Sequence, residues 1–223
     1  MKQRKHIVIT GTGRSGTTFL MQLLTRLGLD TGFRPEEISS HIEPVSNAGL
    51  EKDIRQDHCP RIVKSPWFCD HAKEVFARDD IEIEHILIPV RELTAAAESR
   101  RQVVKSNLGS CPWWKRFLLK SKLPGFEGGL WHTRSLAAGK QEKVLLHQQY
   151  KLLFAVANTD IPVTLLHYPR LVRDCAYLFD KLGPVLEGIS YETFAAVFQE
   201  VVRPEIVHQF SPDDQVFSSG ASP

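Results

Sequence analysis

The apolar residues of this chain fall into short unbroken runs separated by longer stretches of helical period. "HIVIT" (6–10), "RIVKS" (61–65), "IEHILIPV" (83–90) and "IPVTLLHY" (161–168) are apolar enough to predict buried strands. Between them, "TTFLMQLLTRLG" sets Phe19, Leu20, Leu23, Leu24 and Leu27 on one face and stops at Gly28. Further helices are predicted over 71–79, 92–106, 143–158, 171–183 and 190–202, the one over 92–106 carrying Leu93, Ala96, Ala97, Val103 and Val104 inward. Strands that alternate with helices imply right-handed crossovers and a parallel sheet covered on both faces, an α/β fold. Ligands of such sheets sit at the carboxyl ends of the strands. One segment, 106–139, breaks the pattern; it is long and rich in Gly, Pro, Trp and Lys, and a loop of that length is a lid or binding element or else disordered. The tail from about residue 211 reads as disordered, so 1–223 is read as one domain with one insertion.

Composition narrows the class. The chain has 223 residues, is 42% hydrophobic and carries a net charge of +2. That balance argues against a nucleic-acid partner, though not against one cationic cleft. No apolar run can span a bilayer, and "MKQRK" leads into too short a run for a signal peptide. Cys59, Cys69, Cys111 and Cys175 show no paired spacing and read as buried reduced thiols. The expected location is cytoplasmic.

Chemistry concentrates just after the first strand. In "GTGRSGTTF" (11–19), Gly11 and Gly16 have the G-x-x-x-x-G spacing of a Walker A phosphate loop leading into a helix at Thr17. Glycines there let successive N–H groups face one concavity, and the helix start adds unpaired donors and positive dipole. A nucleoside triphosphatase needs Lys after the second glycine and a Walker B aspartate. Here Thr17 takes the lysine's place, the cation is Arg14, and "HILIPV" ends in Arg91. Cations replace the metal-holding groups, which suits a single 5′-phosphate and a transferred group of lower charge than a phosphoryl.

"GRSGTTF" resembles the 5′-phosphosulfate loop of sulfotransferases that use 3′-phosphoadenosine 5′-phosphosulfate, whose pattern is P-[KR]-S-G-T-T-x. Arg14, Ser15, Gly16, Thr17 and Thr18 match, and Gly13 replaces the proline. The resemblance implies that these residues bind the 5′-phosphate and that Phe19 lies near adenine. The family's 3′-phosphate motif is a strand-end Arg followed eight positions later by Ser; Arg91 and Ser99 fit. "RIVKSPWF" places Lys64 where the family's lysine approaches the oxygen that bridges phosphorus and sulfur, and Tyr168 and Leu171 match a fourth, looser motif. Pro169 and Arg170 replace that motif's acidic pair, and the family's late Arg-Lys-Gly segment is absent. The resemblance runs in order from His6 to about Gly183. It implies a P-loop NTPase-like three-layer fold, sulfuryl transfer without metal, and adenosine 3′,5′-bisphosphate as product.

The general base stays open. Many cytosolic relatives have a His two residues after the strand lysine; here that residue is Pro66. Golgi-type relatives use a Glu shortly after the first helix, and "RPEEISSHIEP" offers Glu37, the first choice, with Glu43, Glu36 and His41 behind it. The expected acceptor is a small molecule, a carbohydrate or a lipid headgroup, presenting a hydroxyl or amine. It is placed under 106–139 because Trp113, Trp114 and Trp131 stand among lysines and arginines there. Two alternatives remain: an atypical P-loop small-molecule kinase, and a nucleotide-binding module with no chemistry.

Overall fold

The computed structural model describes residues 3–44, 46–109 and 135–203. The predicted tail, Cys111, the tryptophans at 113, 114 and 131, and most of the 106–139 insertion lie outside the described residues. Within them stand four strands, β1 (Arg4–Ile9), β2 (Ile62–Lys64), β3 (Ile81–Arg91) and β4 (Val163–Tyr168), in the order β2-β1-β3-β4. All three pairings are parallel. The helices are α1 (Thr17–Arg26), α2 (Phe68–Phe76), α3 (Leu93–Gly109), α4 (Lys140–Val156), α5 (Cys175–Leu182) and α6 (Tyr191–Val201). No helix among the described residues is long and apolar enough to cross a membrane.

Alternating strand residues supply two cores, because successive side chains of a strand point to opposite faces. Ile7, Ile9, Ile62, Leu87 and Leu166 pack with α1, α5 and α6 on one face. Val8, Val63, Ile86 and Ile88 pack with α2 and α4 on the other. Helix, sheet and helix therefore form three layers. In α1, Leu20, Met21, Leu23 and Leu24 are buried, while Phe19 and Leu27 are only partly covered. The predicted fifth helix divides. Leu171 and Val172 lie in a 3-10 turn, and α5 starts at Cys175 because Asp174 caps it, accepting from the Tyr177 amide at 2.9 Å. Among the three described cysteines only Cys69 is buried; Cys59 and Cys175 are half-buried, because each sits at the edge of its core cluster.

Strand order positions the site. From β1 the chain passes through α1 to β2 on one side, then returns through α2 to β3 on the other. The connections after β1 and β3 thus depart in opposite directions and leave a crevice at the strands' carboxyl ends. Register does the rest. Ile9 pairs with Lys64, and Arg91 pairs with Tyr168, so all four strand ends meet at one edge of the sheet.

Candidate functional site

The loop after β1 folds through residues that need unusual dihedrals. Gly11 has φ 134°, Arg14 φ 73° and Gly16 φ 95°. A Cβ on Gly16 would stand 3.2 Å from both the Leu171 and Tyr168 side chains, so glycine is required there for space as well as for φ. A left-handed arginine carries strain of about 1 kcal/mol or more and persists only where neighbours hold it. Arg14 is held on several sides. Its Nε donates to Ser99 Oγ at 3.0 Å, its Nη1 donates to the Ser46 carbonyl, and its own carbonyl accepts from Arg91 Nη1 at 2.9 Å. Gly16 then starts α1 with no side-chain cap and no acid in the first turn, leaving the helix's positive end uncompensated.

Ser15 behaves differently from its neighbours. Its hydroxyl donates to the Thr12 carbonyl at 2.6 Å and it is fully buried, so it shapes the loop from behind. Gly13, Arg14, Gly16, Thr17, Thr18 and Phe19 line a cavity of about 460 Å³, together with Lys64, Arg91, Ser99 and Tyr168. Phe19 lines the cavity and also meets Phe198 edge-on at 5.8 Å. The Arg91 guanidinium lies 4.7 Å from the centre of the Tyr168 ring, a cation–π contact that fixes its plane.

Lys64 sits at the end of β2 and is 1% exposed. Its ammonium donates to Thr18 Oγ1 at 2.7 Å, to the Gly49 carbonyl at 2.6 Å and to Glu51 Oε1 at 2.9 Å. Burial pushes its pKa below the ordinary lysine value, Arg14 adds to that fall, and Glu51 opposes it. Arg14 is also pushed down, by burial first and by Arg91 second. Behind Ser99, Arg100 is buried, bonded to Gln141 at 2.7 Å, and pushed down to about 10 by burial and by Arg14.

A hairpin brings Glu51 into this group. Ile42 and Gly49 form an antiparallel bridge, and the Glu43 amide donates to the Ala48 carbonyl at 2.8 Å. Gly49 has φ 142°, and a Cβ there would run into the His41 carbonyl. Beyond the hairpin the Lys52 amide donates to the Lys64 carbonyl at 3.0 Å, which ties the chain to β2 and sets Glu51 beside the ammonium. Glu36 and Glu37 are exposed and are not among the residues that line the cavity. His41 and Glu43 are exposed as well, and Glu43 accepts from the Ser46 amide at 2.6 Å. The lining carboxylate is Glu51, which sequence reasoning passed over. Its only signal was "NAG" at 47–49, a turn that folds the following residues back.

Charge decides what the cavity can hold. Among the described residues that line it, Arg14, Arg26, Lys64, Arg91 and Arg203 are cationic, and Glu51 is the one carboxylate. Such an excess suits a ligand carrying several negative charges. Compared with known proteins, the chain matches no family model and no curated relative.

Proposed function

We propose that this protein is a sulfotransferase that moves a sulfuryl group from 3′-phosphoadenosine 5′-phosphosulfate to a hydroxyl or amine of a small acceptor. The reading rests on the cationic excess of one cavity, five cations to one carboxylate among the described residues that line it, with Arg14 on the loop after β1 and Arg91 at the end of β3. Two phosphate groups on one nucleotide would share this excess, with Arg14 and Arg91 linked through the Arg14 carbonyl and Arg14 reaching Ser99. Arg14, Gly16, Thr17 and Thr18 would hold the 5′-phosphate against the start of α1. Arg91 and Ser99 would hold the 3′-phosphate, and Phe19 the base. The nucleotide supplies the activated sulfuryl group. Lys64 stabilises negative charge on the departing phosphate oxygen, and its burial raises the worth of that contact.

Thermal shift without added metal tests the reading. Adenosine 3′,5′-bisphosphate should stabilise the fold more than AMP or ADP does. Equal shifts for bisphosphate and AMP refute it. A larger shift with ATP and Mg²⁺ favours the kinase alternative, and bisphosphate binding without sulfuryl transfer to any acceptor favours a binding module.

A further inference from the structure

We infer that Glu51 is the general base of this site; the inference rests on the sulfotransferase reading. Of the carboxylates carried by the 36–51 segment, Glu51 alone lines the cavity. Its Oε1 lies 2.9 Å from Lys64 Nζ, and the Gly49 amide donates to that same oxygen at 3.2 Å. The carboxylate is therefore aimed by two donors, one charged, from a hairpin and from β2. It also keeps 21% of its side-chain surface in solvent, against 2% for Lys64, so it has an open side from which an acceptor can approach.

The pairing places base and leaving-group stabiliser side by side. In an in-line transfer the acceptor oxygen and the departing oxygen flank one sulfur. The proposal requires the sulfuryl group to lie across the pair, with Lys64 on the departing oxygen and Glu51 reaching the attacking one on the far side of sulfur. As the acceptor O–H gives its proton to Glu51, the oxygen's electron pair forms the new bond to sulfur. The bond from sulfur to the 5′-phosphate oxygen breaks, and its electron pair leaves with the phosphate beside the Lys64 ammonium. Glu51 then passes the proton to solvent. The net products are a sulfate ester, adenosine 3′,5′-bisphosphate and one proton, so no oxidant or metal enters the balance.

A merely structural Glu51 is separable from a base by Glu51→Gln, which keeps an oxygen acceptor for Lys64 and the Gly49 amide but removes basicity. Water serves as the acceptor, and sulfate released from 3′-phosphoadenosine 5′-phosphosulfate is measured with bisphosphate affinity by calorimetry. Expected is a loss of about 100-fold or more in release, with bisphosphate Kd within about threefold of wild type on the same binding scale. Release by Glu51→Gln within about threefold of wild type overturns the assignment. So does a wild-type chain that binds bisphosphate and releases sulfate no faster than free solution. A wild-type chain that does not prefer bisphosphate to AMP fails the sulfotransferase reading instead. Carbodiimide labelling adds a readout independent of turnover: wild-type Glu51 should label, and bisphosphate should slow that labelling. Labelling at Glu37 with none at Glu51 goes against the proposal. Glu51→Asp, which keeps the charge, covers the case of a Gln variant that fails to fold and should retain measurable release; none above solution overturns the assignment.

Discussion

The Lys64–Glu51 pair should respond unequally to loss of either partner. Its two ends differ in exposure, at 2% for the lysine side chain and 21% for the glutamate. Glu51→Ala leaves an ammonium in the interior with two neutral acceptors, the Thr18 hydroxyl and the Gly49 carbonyl. Breaking a buried pair from one side costs about 3–5 kcal/mol because the other charge is left uncompensated. The two remaining acceptors put this case near the lower end, about 3 kcal/mol. Lys64→Met keeps the apolar stem and removes the charge. The glutamate it leaves behind is partly hydrated and still accepts from the Gly49 amide, so the cost should be about 1 kcal/mol. The assay is urea unfolding at pH 7 with m-values held equal. A Lys64→Met variant as destabilised as Glu51→Ala would refute the account of which partner is stranded.

Other outcomes follow from single contacts. Arg91→Ala should remove the advantage of bisphosphate over AMP, about 1.5–3 kcal/mol for a charged hydrogen bond, measured by calorimetry. Gly49→Ala should open the hairpin, because the new Cβ meets the His41 carbonyl; amide exchange at 43–50 should rise while the sheet stays protected. His6 and His85 are both held below the ordinary histidine pKa by burial, and His6 Nε2 has no partner. The unfolded chain therefore binds more protons as pH falls through about 6.5, so stability is lost below that pH and recovered above it. His6→Leu should flatten that acid limb in urea titrations at pH 7 and pH 5; an unchanged slope contradicts the assignment.

Sequence and structure agree most where local pattern decides. The four apolar runs became the four strands, and in β1, β2 and β3 continuous apolarity matches burial on both faces, whereas in the edge strand β4 Val163 and Leu165 stay exposed among the described residues. Arg14, Lys64, Arg91 and Tyr168 were legible because each follows or ends a strand, and parallel strands bring all those ends to one edge. Glu51 was not legible, since its place depends on a hairpin closed by Gly49 and on one long-range bond from Lys52 to Lys64. A periodic reading also cannot separate Ser15, which faces inward to Thr12, from Ser99, which faces Arg14. Helix starts shifted for a similar reason. At α5 the Asp174 cap, not the apolar period, sets the first turn.

The hairpin has a kinetic consequence. Arg14 and Lys64 already donate to its carbonyls, at Ser46 and Gly49. Any anion that takes those donors must first displace backbone oxygens, so its arrival has two stages: a loose encounter, then a concerted exchange of partners. The observed association rate should then level off as ligand concentration rises, at a ceiling set by how fast the hairpin yields rather than by diffusion.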